Sequence, residues 1–238
     1  MLGRRKMVGP DEPIYGLFKF GKREHLEFLR RDGLLFMRPL AEFAKLELDM
    51  ARGDCFEGTT RIIQPQHVKN LVFEGPGFGM HAINPSSLVG PVRFGTGETA
   101  SCNVYCMFAA TDLVDGESVS RQNFQFGDSF VDVTKIDEFL DRAIEAARNA
   151  GLNHFESRFV EYFDPESYSG EVGRFRKRST FAYQSEFRIA VEPGSVMPRC
   201  LSIGSLLDIT SEVLPMSDVN EYLDLKVKGA DVVGLPSH

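Results

Sequence analysis

From Phe181 to Val191 two classes of side chain alternate. Phe181, Tyr183, Ser185, Phe187 and Ile189 share one parity; Ala182, Gln184, Glu186 and Arg188 share the other. A period of two marks a half-buried β-strand. It predicts a strand across 181–191 that shows an amide, a carboxylate and a guanidinium in a row on one face. The rest of the chain must supply neighbours for that strand and a cover for its apolar side.

Those neighbours are legible as short apolar runs. A strand is expected over Ile14 to Phe20, a helix over Lys22 to Asp32 with Leu26 and Leu29 at helical spacing, and Gly33 at its C-cap. Leu34 to Met37 reads as a second short strand. Pro39 can open a further helix carrying Leu40, Phe43, Ala44, Leu46 and Leu48. Arg52 to Gly58 reads as a structured loop, and residues 61–100, rich in Gly and Pro, as short strands with long turns. Strands are expected over Val104 to Ala110, Phe124 to Val133 and Phe159 to Phe163. Thr134 is expected to cap a helix with Asp137 three residues on, Ile136, Phe139, Leu140 and Ala143 as its apolar stripe, and Gly151 at its end. A short strand in Leu201 to Ile209 and a last helix in Val213 to Leu223 complete the pattern, with no internal repeat read. The class is α+β, a single domain over 14–225 with a loose N-terminus (1–13) and a C-terminal tail (226–238).

Charge and cysteine narrow the function. The net charge of −7 disfavours nonspecific duplex binding, while the basic cluster Arg174, Arg176, Lys177 and Arg178 leaves a local contact with phosphate open. No apolar run approaches the ~20 residues of a membrane helix. The basic start has no apolar segment after it, so no secretory signal is read and a cytoplasmic location is expected. Cys55, Cys102, Cys106 and Cys200 form no C-x-x-C pair and read as small apolar residues in a reducing compartment. The histidines show no metal spacing, so no metal is expected.

A carboxylate with an amide two residues upstream suits chemistry that builds positive charge on a sugar. The carboxylate holds a ribose hydroxyl and favours oxocarbenium character, and the amide orients the incoming nucleophile. Gln184-x-Glu186 resembles the Gln/Glu-x-Glu element of ADP-ribosyltransferases, and the opening strand, helix and second strand are similar to that family's first elements. The resemblance implies a split antiparallel β core flanked by helices, NAD as substrate and Glu186 and Gln184 as catalytic residues. It implies NAD contacts from Lys19 and Phe18, from Ser179 and Thr180 as an echo of a Ser-Thr-Ser element, and from Tyr105. Lys19 stands where the family has His or Arg.

A second resemblance is to a group of bacterial proteins with an aromatic-Lys first strand, an acidic loop (here Asp54 to Gly58), a central Cys strand and a basic segment running into Tyr-x-x-Glu-aromatic-Arg. It implies a toxin of toxin–antitoxin or phage-defence type, a nucleic-acid or protein acceptor contacted by Arg176, Lys177, Arg178 and Arg188, and an antitoxin or chaperone partner. Asp54 and Glu57 are loop candidates for the site. Two other functions compete: a catalytically silent binding module, and a nuclease with Asp54, Glu57 or Glu186 holding Mg²⁺.

Overall fold

The structure is a computed structural model describing residues 13–43, 54, 56–75, 77, 79–95, 102–113 and 116–229. The expectations for Ala44, Leu46, Leu48, Cys55 and the extreme termini lie outside the described residues. The first half contains β1 (Gly16–Gly21), α1 (Arg23–Asp32), β2 (Leu34–Pro39), α2 (Leu40–Phe43), β3 (Thr59–Ile63), β4 (Leu71–Gly75), β5 (Gly79–Ile83), β6 (Val92–Gly95) and β7 (Asn103–Ala110). Then come β8 (Ser129–Asp132), α3 (Ile136–Asn149), β9 (His154–Phe159), β10 (Glu161–Phe163), β11 (Gly170–Glu171), β12 (Arg176–Arg178), β13 (Glu186–Glu192), β14 (Arg199–Ser202), β15 (Leu214–Pro215) and α4 (Val219–Val227). The class is α+β, with mostly antiparallel sheets and few helices.

Strand β7 is the spine. Along one edge it pairs with β13 from Asn103 to Phe108, and β13 pairs in turn with β9. The other edge is divided. β2 takes Asn103 and Val104, whereas β1 takes Phe108 to Ala110. Beyond β2 lies β14, and beyond β1 lie β8 and β15. One eight-stranded sheet therefore parts into two wings on one side of a shared strand.

Strand parity distributes the core. Leu17, Tyr105, Met107, Val131, Phe187 and Ile189 face Leu26 and Leu29 of α1 and Phe139, Leu140 and Ala143 of α3. A ten-residue helix such as α1 is below the ~12–15 residues that are even marginal in isolation. Its two buried leucines, about 1.5–3 kcal/mol each, hold it on the sheet. On the opposite face Phe18, Phe108 and Phe130 meet Val219, Tyr222 and Leu223 of α4. Asp132 pins this helix by accepting from Tyr222 Oη at 3.0 Å and Lys226 Nζ at 2.6 Å. A small lobe lies over the remaining part of this face. It comprises the sheet β11-β3-β6, the parallel pair β10-β12 and the β4-β5 hairpin, with Ile62, Phe163 and Val172 as its core.

Several sequence expectations need correction. Residues 121–126 form a 3₁₀ turn, so the strand expected from Phe124 begins only at Ser129. Helix α3 starts after Lys135 with no side-chain cap, because the Thr134 backbone is bonded to Ile209 two residues before the helix begins at Ile136. The 159–163 run breaks at Val160, whose N–H donates to Glu186 O, leaving β9 and β10 on either side. A repeat at an offset of 20 residues is also present: Ile63-Gln64-Pro65 and Ile83-Asn84-Pro85 each lead into a short 3₁₀ turn, and the two turns lie against each other.

Candidate functional site

The strand expected over 181–191 begins only at Glu186. Residues 179–184 wind as a 3₁₀ turn, and Ser185 follows at φ 37°, the only non-glycine residue with positive φ among those described. Such a conformation costs on the order of 1–3 kcal/mol and persists where the surroundings hold it. Here they do: Ser185 Oγ donates to Ala109 O at 2.6 Å, and Ala109 N–H donates to Ser185 O at 2.9 Å. The kink cancels the period-two relation between Gln184 and Glu186. Lys177, in the middle of β12, restores their association by donating to Gln184 Oε1 at 2.8 Å and Glu186 Oε2 at 3.0 Å.

Lys177, expected among the basic residues that contact an acceptor, is 4% exposed and a buried member of a charge network. Arg188, 1% exposed, donates from Nε to Glu186 at 2.6 Å and from its two terminal nitrogens to Glu57 at 2.7 and 3.3 Å. Two carboxylates thus face two cations in the interior. Burial pushes the Glu186 carboxyl up, but Arg188 and Lys177 outweigh it and hold it well below the usual carboxylate range. Glu57 goes the other way: burial dominates the pull of Arg188 and raises it. Burial opposes the charge on Lys177, yet Glu186 and Glu57 keep its ammonium above the usual range. Cys106 faces the same cluster, and burial, reinforced by Glu186, pushes its thiol up to about 12.

Where β1 and β2 part on β7, a cleft of about 620 Å³ opens and reaches Glu186. Strand β7 lies between β1 and β13, so the gap opens between β1 and β2 and not between β1 and β13. Lys19 ties β1 to β7 at the edge of the gap by donating from Nζ to Cys106 O at 2.7 Å, with its ammonium 4.3 Å from the centre of the Tyr105 ring. The Tyr105 hydroxyl is buried without a hydrogen-bond partner, and burial raises it well above the usual phenol range. Tyr105 therefore presents its ring and not its hydroxyl.

The cleft lining brings together Lys19, Tyr105, Lys177, Gln184 and Glu186 from the expected set. It also includes Lys22, His25, Phe36 and Arg38, which the sequence reading passed over. The alternation of Leu35 and Met37 with Phe36 and Arg38 on β2 was the available signal for two of them. Its charged lining is Lys19, Lys22, Arg38 and Lys177 against Glu186, a cationic cleft in an acidic protein. A volume within about 300–1,000 Å³ and a mixed aromatic and cationic wall suit a small phosphorylated, ring-bearing ligand.

Other candidates lie elsewhere. Phe18 is fully buried among Phe20, Phe108, Phe130 and Tyr222; it packs behind Phe20 and Phe108, which line the cleft, and is not itself in the lining. Ser179 and Thr180 are exposed and outside the lining. Asp54 accepts from Arg178 Nε at 2.7 Å, with Arg178 between the rings of Phe56 and Phe181. Arg176 is paired with Glu161. No described helix is long and apolar enough to cross a membrane. The chain matches no protein-family model, no curated protein and no solved structure.

Proposed function

We propose that the cleft takes NAD and that the chain is an ADP-ribosyltransferase. The observation that carries this reading is the convergence of the Glu186 carboxylate, bonded to Lys177 and Arg188, with cationic and aromatic side chains in one gap of a split sheet. Lys19, Lys22 and Arg38 would face the pyrophosphate, and Phe36 and Tyr105 would face its rings. The bond between ribose and nicotinamide breaks with its electron pair leaving on nicotinamide. Positive charge then grows on the ribose, and Glu186, accepting from a ribose hydroxyl, stabilises it. The nucleophile of the second substrate forms the new bond at the same carbon and gives up its proton, with Gln184 orienting it. A nucleic-acid or protein acceptor, a role as a bacterial defence toxin and a neutralising partner belong to the same proposal.

One observation favours a second reading. Lys177 and Arg188 already neutralise Glu186, which weakens its pull on a developing cation and suits a silent binding module. A Mg²⁺ nuclease draws less support, because Asp54, Glu57 and Glu186 are each committed to a cationic side chain.

The experiment is incubation with NAD labelled in the adenosine half and a mixed pool of cellular protein and RNA. Transfer by the wild type, reduced about 10²–10³-fold in Glu186→Gln, is expected by analogy with loss of one electrostatic contact to a transition state. NAD binding without consumption selects the binding module. Full activity in the variant removes Glu186 from the chemistry.

A further inference from the structure

The ribbon from Thr59 to Gly95 consists of two units offset by 20 residues. Strand β3 (Thr59–Ile63) matches β5 (Gly79–Ile83), the turn at Pro65–His67 matches the turn at Pro85–Ser87, and β4 (Leu71–Gly75) matches the stretch that holds β6. The pairing is crossed: β3 of the first unit pairs with β6 of the second, and β4 of the first with β5 of the second. The two units differ at their outer edges. On β3 that edge carries a further strand, β11, with Gly170 opposite Ile62 and Glu171 opposite Arg61. Val172 N–H donates to Thr60 O at 2.8 Å. On β5, the counterpart of β3, the described residues pair with β4 alone.

The side chains show the same difference. Ile62 is fully buried with Val172 and Phe163. Its counterpart Ala82 is exposed, as is Met80 on the same face at 75%, and Val72, opposite Ala82, is 50% exposed. A two-stranded ribbon is marginal by itself in water, and an open strand edge is a template for another strand. Charge selects the occupant. Residues 59–95 carry Arg61, Lys69 and Arg93 against Glu74 alone, in a chain of net charge −7. A second copy would bring the same basic ribbon, whereas an acidic segment is complementary.

We propose that the outer edge of β5 is a docking site for an extended acidic segment of a partner protein, added as a third strand in the register that β11 adopts on β3. A small residue of the partner lies opposite Ala82, an acidic one opposite His81 and a β-branched one opposite Met80. The N–H of that last residue donates to Met80 O, as Val172 N–H does to Thr60 O. Main-chain bonds hold the segment, and Val72, Met80 and Ala82 give it an apolar seat. None of these residues lines the cleft, and the proposal takes nothing from the transferase reading.

The test is nuclear magnetic resonance on the isotope-labelled full chain, titrated with a capped peptide that copies residues 166–173, Glu-Ser-Tyr-Ser-Gly-Glu-Val-Gly. Saturable amide shifts centred on Met80 and Ala82 are expected, with β3 unchanged. Methylating the nitrogen of the peptide's valine removes the donor to Met80 O and should weaken binding about tenfold. No shift on β5, shifts on β3 through exchange with the chain's own β11, or equal binding of the two peptides overturns the proposal. Hydrogen-exchange protection of β5 that grows with protein concentration in the absence of peptide assigns the edge to a second copy and overturns it as well.

Discussion

Replacing Arg188 by methionine tests whether the buried charge network supports the fold beneath the cleft. Arg188 touches Glu57 through both terminal nitrogens, Glu186 through Nε and the Arg174 carbonyl at 2.5 Å. Removing one partner of a buried pair costs about 3–5 kcal/mol, because the survivor stays buried and uncompensated. Arg188→Met leaves two carboxylates to share Lys177. At about 2–4 °C per kcal/mol for a chain of this size, Tm should fall on the order of 6–20 °C. The penalty carries a pH signature. Glu57 is raised by burial even with Arg188 present; the loss of Arg188 raises it further and removes the strongest pull that holds the Glu186 carboxyl down. A carboxyl whose folded pKa exceeds its unfolded value costs nothing below the unfolded value, about 4.3. The cost grows from there to the folded pKa and is constant above it. The variant should therefore lose more stability at pH 8 than at pH 5. The chain has no Trp, so circular dichroism in urea is the assay. The double variant Arg188→Met/Glu57→Leu should recover part of the loss, since neighbours in one network are not additive. A loss below about 1 kcal/mol, typical of an ordinary substitution, or one equal at both pH values refutes the reasoning.

Three further outcomes are expected. Lys19→Met removes an ammonium from the cleft lining and should weaken NAD binding about tenfold, or ~1.4 kcal/mol, by calorimetry; an unchanged Kd separates Lys19 from the site. Gly33→Ala should cost more than about 1 kcal/mol in thermal melts, since Gly33 has φ +59° and an added Cβ would stand 1.7 Å from Gly204 O; an unchanged Tm would contradict that close approach. At pH 8 iodoacetamide should label exposed Cys200 well before Cys106, whose thiol is pushed up to about 12, or Cys102, pushed up to about 11. Mass spectrometry of the labelled peptides reads this directly, and equal rates would show that Cys106 is not held as a thiol.

The parts of the fold that local chemistry governs were legible in the sequence. Helix α1 and its left-handed Gly33 follow from Leu26, Leu29 and a C-cap glycine, and β7 follows from an unbroken apolar run. Distant contacts decided the rest. Residues 181–185 carry a strand's alternation, but Ser185 is tied to Ala109 and Gln184 is drawn to Lys177, so the alternation there ends in a kink. Thr134 has a cap residue's chemistry, yet Ile209 occupies its backbone. Glu186 could be picked out from its spacing to Gln184. The roles of Lys177, Arg188 and Glu57 could not, because charged residues on short runs read as solvated faces until a second lobe covers them. The cleft residues Lys22, His25 and Arg38 join the site only through the parting of β1 and β2, which is a property of pairing and not of any one segment.

That parting has a mechanical consequence. In a continuous sheet each interior strand is gripped from both edges along its length, whereas here β1 and β2 each grip only part of β7 and are not paired with each other. The chain links these wings through α1, with Gly21 at one end and Gly33 at the other. A molecule seated in the gap becomes a strut between them. Occupancy and stiffness are then coupled, and amide hydrogen exchange in β2 and β14 should slow in proportion to the fraction of protein loaded, before any chemistry takes place. The slot that admits a ligand is also the gauge that registers it.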